Sequence, residues 1–220
     1  KQKSCSRLTY LDADQFFYAD PKIVFQEIGN SDIAIMPHRF SESNNSSHEH
    51  GKFNVSWLTY NNNSNAHDCL AWWKKSCFDW CYAAGIDGKY GDQKYLDEFP
   101  TKYERVHIIE NTGCGVAPWN LANFDFGKQL ILFHFQSFRI RSSRIFTATI
   151  PEIDTHLIAD FKKIVLLPYL TSLMKNLRNS EKGSVNRLDK SLKFSEETLI
   201  FILIFNKIFH SRNKLVTFLI

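Results

Sequence analysis

Two short apolar runs with a helix start between them constrain this chain more than any other feature. Leu8 to Asp12 is strand-like and runs into Asp12-Ala13-Asp14. Asp20-Pro21 then offers an N-cap and a proline at the first helical position, and that helix reaches about Ile28, where Gly29-Asn30 supplies a left-handed stop. Asp32 to Met36 is the next strand. Strand, helix, strand in that order predicts an α/β sheet, with the carboxylate pair at the carboxyl end of its strand, where ligands of such sheets collect.

Asp12 and Asp14 stand at i and i+2. In an extended strand they would share a face; at a strand end the chain turns, so one can meet a divalent cation directly and the other through water. Oxygen ligands suit Mg²⁺ or Mn²⁺, and a cation held by one or two carboxylates keeps its other positions open for substrate phosphates. A solvated turn also produces Asp-x-Asp, so the pair depends on its context.

With 220 residues, 44% of them hydrophobic and 19 of them Phe, the chain can bury a good core, and disorder of the whole is excluded. A net charge of +4 suits an anionic nucleotide or a membrane surface without distinguishing either from an ordinary protein. Cys5, Cys69, Cys77, Cys81 and Cys114 are odd in number and irregular in spacing, which argues for a reducing compartment over a disulfide framework. Cys77 and Cys81, at i and i+4 of a predicted helix, are expected to pack in the core; no second Cys or His pair at zinc-site spacing accompanies them.

Further along, Asn44 to Gly51 is polar and ends in Gly, so a mobile loop is expected there, with His48, Glu49 and His50 solvated. Asn54 to Tyr60 reads as a strand and Asn61 to Asn65 as a turn. Leu70, Trp73, Cys77, Trp80 and Cys81 recur at helical spacing, predicting a core helix over about Ala66 to Ala84. Of the adjacent Trp72 and Trp73, one is expected to pack inward and the other to line a cleft. Arg105 to Glu110 and Leu130 to Phe135 read as two more strands. Residues 152–178 read as helical, kinked or split at Pro168, and Asn179 to Asn186 as a polar linker.

No secretory signal is present, and no stretch reaches the roughly 18–20 apolar residues of a membrane span. Leu199 to Phe205 is expected to be a buried helix or strand; its alternative, continued through Ile220 with Lys207, Arg212 and Lys214 interspersed, is a tail lying on an anionic membrane. The basic residues are scattered and no zinc-finger, helix-turn-helix or ribonucleoprotein signature occurs, so nucleic acid is not an expected partner.

Six blocks carry a family resemblance. Tyr10 to Pro21, Ile33 to Ser41, Gly51 to Asn54, Leu70 to Tyr82, Tyr90 to Pro100 and Gly115 to Asn120, in that order, resemble bacterial glycosyltransferases of the GT-A type, the nucleotide-diphospho-sugar transferases and lipopolysaccharide-biosynthesis-like proteins. The resemblance covers most of residues 8 to 135. It implies a GT-A α/β portion with a mixed sheet flanked by helices over residues 1–140, and a mostly helical extension over 141–220. It further implies transfer of a sugar from a nucleoside-diphosphate sugar to a glycan or lipid-linked acceptor, on the cytoplasmic side, in surface-polysaccharide or lipopolysaccharide synthesis.

The same resemblance distributes roles. Asp14 would bind Mn²⁺ or Mg²⁺ directly, Asp12 would contact the ribose or share the metal through water, and His134 would be a third ligand. His134-Phe135-Gln136-Ser137 departs from the family's His, aromatic, His or Ser, Gly word, which bears on that third role, and a lone His in an apolar strand is commonly a core residue. Asp92 would orient sugar hydroxyls and Gln93 would lie near the anomeric carbon, as in retaining enzymes; an ordinary N-cap is the alternative for Asp92. His38 and Arg39 would form a donor-binding loop, with the planar Arg39 fork on phosphate, and Trp119 and Asn120 would line the donor.

A GT-A domain normally has a nucleotide-binding βαβ portion before its Asp-x-Asp strand. Here eleven residues precede Asp12, so a fragment or truncated product is expected. Two rival functions follow: a non-catalytic relic or interaction module, and a nucleotidyltransferase on the same fold.

Overall fold

The computed structural model describes residues 5–42, 45–142, 145–151, 155–183, 202–204 and 213–219. Two compact units divide the chain, residues 1–134 and 135–220. The first runs β1 (Arg7–Leu11), β2 (Gln15–Phe17), α1 (Lys22–Ile28), β3 (Ile33–Pro37), α2 (Ser47–His50), β4 (Phe53–Asn61), α3 (Ser64–Asp79), a 3-10 turn Lys94–Glu98, α4 (Phe99–Lys102), β5 (Val106–Ile108), β6 (Cys114–Val116), a 3-10 turn Leu121–Asn123 and β7 (Leu132–His134). It is an α/β unit with mixed sheets. One sheet has the order β1-β4-β3-β5, with β3 and β5 parallel and the other pairs antiparallel; the second has the order β2-β7-β6, with β6 and β7 parallel.

The side-chain pattern of β4 explains how the larger sheet buries both faces. Phe53 and Val55 point into one core with Ile33 and Ile35, and so do Leu58 and Tyr60, although the parity of their positions has changed. The phase shift is a bulge: Ile35 pairs with Leu58, but its neighbour Met36 pairs with Asn54. Against one step in β3, β4 advances four residues, from Leu58 to Asn54, and the extra residues bend it and re-aim the side chains beside them. Trp57 turns to the opposite core with Ala34, Met36, Val24 and Ile28 of α1, and Ile131 and Leu132.

Asparagines fasten α3 to the sheet. Asn63 caps it, its Oδ1 accepting from Ala66 N at 3.0 Å, a bond worth about 1 kcal/mol. Asn63 and Asn65 also donate to the two carboxylate oxygens of Asp32, at 2.9 and 3.1 Å. The expected turn Asn61 to Asn65 is therefore a clamp. The helix ends at Asp79, short of the expected Ala84, because Trp80 turns extended and its carbonyl accepts from the Tyr95 hydroxyl at 2.8 Å. Cys81 is consequently exposed, against its expected place in the core, and Cys77 is half-buried. Trp72 packs between Tyr95, Phe99 and Tyr103, whereas the Trp73 indole donates to Asp92 O at 2.8 Å.

The segment expected to be a mobile loop before Gly51 holds a helical turn, α2. Gln93 Nε2 donates to its His50 carbonyl at 3.0 Å, and Lys94 Nζ reaches the Ser47 and His48 carbonyls. His50 packs edge-on against Tyr90, with ring centres 4.3 Å apart.

In the second unit, β8 (Arg139–Ser142) and β9 (Ile145–Pro151) precede α5 (Thr155–Asp160), a π-helical stretch Phe161–Leu166 and α6 (Leu167–Gly183), and β10 (Ile202–Ile204) and β11 (Asn213–Leu219) follow. The strands form an antiparallel sheet in the order β10-β11-β9-β8. The expected boundary after residue 140 thus lies after His134, and a sheet joins the expected helices. The wider π turn lies just before Pro168, where a regular helix would lose a hydrogen bond and clash with the ring. Helix α6 continues to Gly183, through the first part of the expected linker; its remainder, 184–186, lies outside the described residues. Within the apolar tail, Ile202–Ile204 is strand, and the rest of 199–205 lies outside the described residues. No described helix is long and apolar enough to cross a membrane.

Candidate functional site

The turn between β1 and β2 carries Asp12 and Asp14, and the pairing of β2 with β7 brings His134 to it. Gln15 is directly opposite His134 in that antiparallel ladder, so the carboxylates just before Gln15 meet the imidazole at the end of β7. His134 Nε2 lies 2.8 Å from Asp14 Oδ1 and 3.8 Å from Asp12 Oδ2. One ligand atom from each residue falls within 4.8 Å of the other two. The imidazole side chain is 6% exposed, that of Asp12 21% and that of Asp14 49%, so the cluster opens to solvent on the Asp14 side.

Tyr10, on the same face of β1 as Asp12, donates its hydroxyl to Asp12 Oδ1 at 2.9 Å. Its phenol is pushed up to about 12 by burial, by that hydrogen bond, and by the charges of Asp12, Asp92 and Asp14. Three carboxylates are therefore gathered around one phenol. Burial also raises the Asp92 carboxyl, helped by the Asp12 charge and opposed by its own backbone N–H.

Asp92 does not take the alternative role of helix cap. Gln93 precedes the 3-10 turn, in helical geometry, and no side chain caps that end. The Gln93 amide is engaged within the protein, donating to His50 O and accepting at 3.5 Å from Asn54 Nδ2. Asn54 in turn donates to His38 Nε2 at 3.1 Å, which fixes that nitrogen as an acceptor, and its Oδ1 takes Ser56 N at 2.8 Å.

The His38 side chain is buried and stacked on Phe40, and burial pushes its pKa down to about 3. Arg39, expected to grip phosphate, has a left-handed backbone, φ 51°, that turns its guanidinium inward. Nη1 donates to Cys114 O at 2.7 Å and Nη2 to Ile109 O at 2.5 Å. Those bonds tie the segment between β5 and β6 to the end of β3. Asn120, expected to line the donor, is buried, donating to His38 O and Gly115 O at 2.8 and 3.1 Å and accepting from Ala117 N at 2.8 Å. Trp119 donates Nε1 to His38 O at 2.9 Å, and its ring meets His38 and His134 edge-on, with centres 5.6 and 5.3 Å apart. Gly115 permits this closure, since at φ 80° a Cβ there would lie 2.4 Å from Met36 Sδ.

The structure therefore brings Asp12, Asp14 and His134 together, places Trp119 against His134, and puts Asp92 within electrostatic reach. His38, Arg39 and Asn120 instead form the frame beneath. Tyr10, Gln15, Asn54 and Ser56 are the residues that sequence reasoning missed. Only Tyr10 had a readable signal, its i, i+2 relation to Asp12. The donor set, two carboxylates and an imidazole, has the chemistry of a site for a divalent cation that keeps further positions open.

Two proteins of Bacillus subtilis (strain 168) are similar to this chain. The uncharacterized protein YfnF is 31% identical over 154 residues, 62% of this chain and 51% of that protein. The uncharacterized protein YfnD is 27% identical over 151 residues, 62% of this chain and 48% of that protein. The chain spans about half the length of these relatives. No family model and no solved structure matches it.

Proposed function

We propose that this chain is the metal-binding portion of a GT-A type glycosyltransferase, moving a sugar from a nucleoside-diphosphate sugar to a glycan or lipid-linked acceptor of a bacterial surface polysaccharide or lipopolysaccharide. The observation that carries the reading is the meeting of Asp12, Asp14 and His134, from two strand ends far apart in sequence, within 4.8 Å. Mn²⁺ or Mg²⁺ held there would offset the charge of the departing diphosphate as a Lewis acid.

The chain's own residues supply the rest. Asp14, half-exposed, faces the open side where phosphate oxygens can arrive; Asp12, held by Tyr10, keeps one carboxylate oxygen for the cation or a ribose hydroxyl. Asp92, half-buried and within electrostatic reach of Asp12, is placed to accept hydrogen bonds from sugar hydroxyls. In the transfer the acceptor oxygen bonds to the anomeric carbon as the bond from that carbon to the diphosphate oxygen breaks, and the acceptor's proton passes to the departing diphosphate. Retention of configuration is the expectation carried by the Asp92-Gln93 word. His38 and Arg39 enter as the support on which Trp119 is set.

Calorimetry of UDP, GDP and dTDP with and without Mn²⁺, on this chain and on Asp14→Ala, tests the proposal. Metal-dependent binding of one nucleotide, lost in the variant, is expected. Absence of Mn²⁺ binding by a cooperatively folded chain would overturn it.

A further inference from the structure

We infer that Gln15 is the positioning residue for His134, its side-chain oxygen accepting the Nδ1 proton when Nε2 binds a divalent cation. The inference rests on the reading that Asp12, Asp14 and His134 hold such a cation.

Two buried polar atoms carry it. Among the described residues, Gln15 Oε1 and His134 Nδ1 are both buried with no hydrogen-bond partner. Each such atom is costly, about 1–3 kcal/mol. They are not scattered, because Gln15 and His134 are direct partners across the β2–β7 ladder, and residues directly opposite project to one face with Cβ atoms about 4.5–5.5 Å apart. The amide's orientation is settled by Ser56 O, which accepts from Gln15 Nε2 at 2.8 Å and leaves Oε1 as the other end. That same carbonyl, in the β4 bulge, accepts from Asp12 N at 3.4 Å, so one backbone group positions both Gln15 and Asp12.

In this structure His134 Nε2 faces Asp14 Oδ1, and Nδ1 and Gln15 Oε1 are neighbours that do not bond each other. With the ring proton on Nε2, donated to Asp14 Oδ1 at 2.8 Å, Nδ1 and Gln15 Oε1 are both acceptors and cannot bond. With the proton on Nδ1, Nε2 presents its lone pair toward the carboxylates, and a rotation of the Gln15 amide or of the imidazole on cation binding would let Oε1 accept that proton. Metal-binding histidines commonly donate their second ring N–H to such a partner, which fixes tautomer and ring orientation. Trp119, edge-on to the ring with centres 5.3 Å apart, also restricts it.

Mn²⁺ titrations of the chain, Gln15→Met and Gln15→Glu, with ¹⁵N NMR of His134 in the wild-type chain loaded with Mg²⁺, test the inference. Both substitutions remove the donor to Ser56 O, but only Gln15→Met also removes the acceptor. Gln15→Met is expected to weaken Mn²⁺ binding about 10- to 100-fold, and Gln15→Glu to keep or tighten it. The NMR spectrum is expected to show the proton on Nδ1. Equal weakening in both variants would make Gln15 a support for Ser56 alone, and normal binding by Gln15→Met, or a proton on Nε2 in the Mg²⁺ form, would equally overturn the inference while leaving the cation site standing. Failure of the wild-type chain to bind Mn²⁺ would remove the cation site and the inference together.

Discussion

The loop around His38 and Asn120 and the turn around Asp12 and Asp14 carry similar polar side chains and hold them in opposite ways. In the loop, Arg39 and Asn120 point inward and bond to backbone carbonyls, with His38 buried in its neutral form beside them. In the turn, acidic groups crowd around Tyr10 and His134, and Asp14 stays half-exposed. Polar groups that hold a fold mostly satisfy each other, as Arg39 and Asn120 do although His38 Nδ1 has no partner among the described residues; polar groups that serve a ligand are gathered in an arrangement the fold alone does not need. Substitutions in the first region should therefore cost stability, and those in the second should cost binding.

The largest effect is expected at Gly115. Gly115→Ala adds a Cβ 2.4 Å from Met36 Sδ at a positive φ, combining overpacking with backbone strain. A loss of about 3 kcal/mol is expected in denaturant unfolding. A cost below about 1 kcal/mol would show that the loop yields and is no rigid frame.

Asn120→Ala should come next. It leaves Ala117 N without its acceptor and removes the donor to Gly115 O and one of two donors to His38 O, a loss of about 2–3 kcal/mol. Nucleotide binding should survive wherever the variant remains folded. Loss of binding with no loss of stability would return Asn120 to the donor-lining role that the sequence suggested.

A smaller effect, at most about 2 kcal/mol, is expected from lowering the pH from 6.5 to 5. His38 is held near 3 in the folded chain, against an ordinary value near 6.5, so between those values the unfolded chain binds the extra proton. Stability from this group is complete above about pH 6.5 and falls as pH drops toward 3, by up to about 1.4 kcal/mol per pH unit. His38→Gln, which can still accept from Asn54, should flatten the slope between pH 6.5 and 5 in urea unfolding. An unchanged slope would mean that the histidine takes its proton without unfolding the loop.

What was legible in the sequence follows the same division. The strand, helix, strand start and the i, i+2 carboxylates were local signals, and β1, α1 and β3 lie close to where those signals put them. Distant partners were not legible. The turn at Ser47–His50 depends on Gln93 and Lys94, and the stop at Trp80 on the Tyr95 hydroxyl. Arg39 looked like a phosphate ligand because its type suits phosphate, but the carbonyls of Ile109 and Cys114 reach it only through the β3–β5 pairing and the chain that follows. His134 arrives by the register of β2 on β7, which leaves no mark in either segment. The β4 bulge that supports Asp12 is likewise set by the pairing of β4 with β3.

The smallest stability effect, and the sharpest test of the comparison, belongs to Asp14→Asn. The side chain is 49% exposed and lies in a turn with Asp12 and, on the evidence of the Tyr10 phenol, within reach of Asp92. Removing its charge weakens the contact with His134, whose proton an amide oxygen can still accept, but also relieves repulsion among the carboxylates, so the two changes oppose each other. Unfolding stability should stay within about 0.5 kcal/mol of the parent, or rise slightly. Mn²⁺ binding should fall sharply, because a neutral amide is a weaker ligand for a hard cation than a carboxylate. A large loss of stability would place Asp14 with Asn120 among the groups that hold the fold, and the contrast between the two regions would not stand.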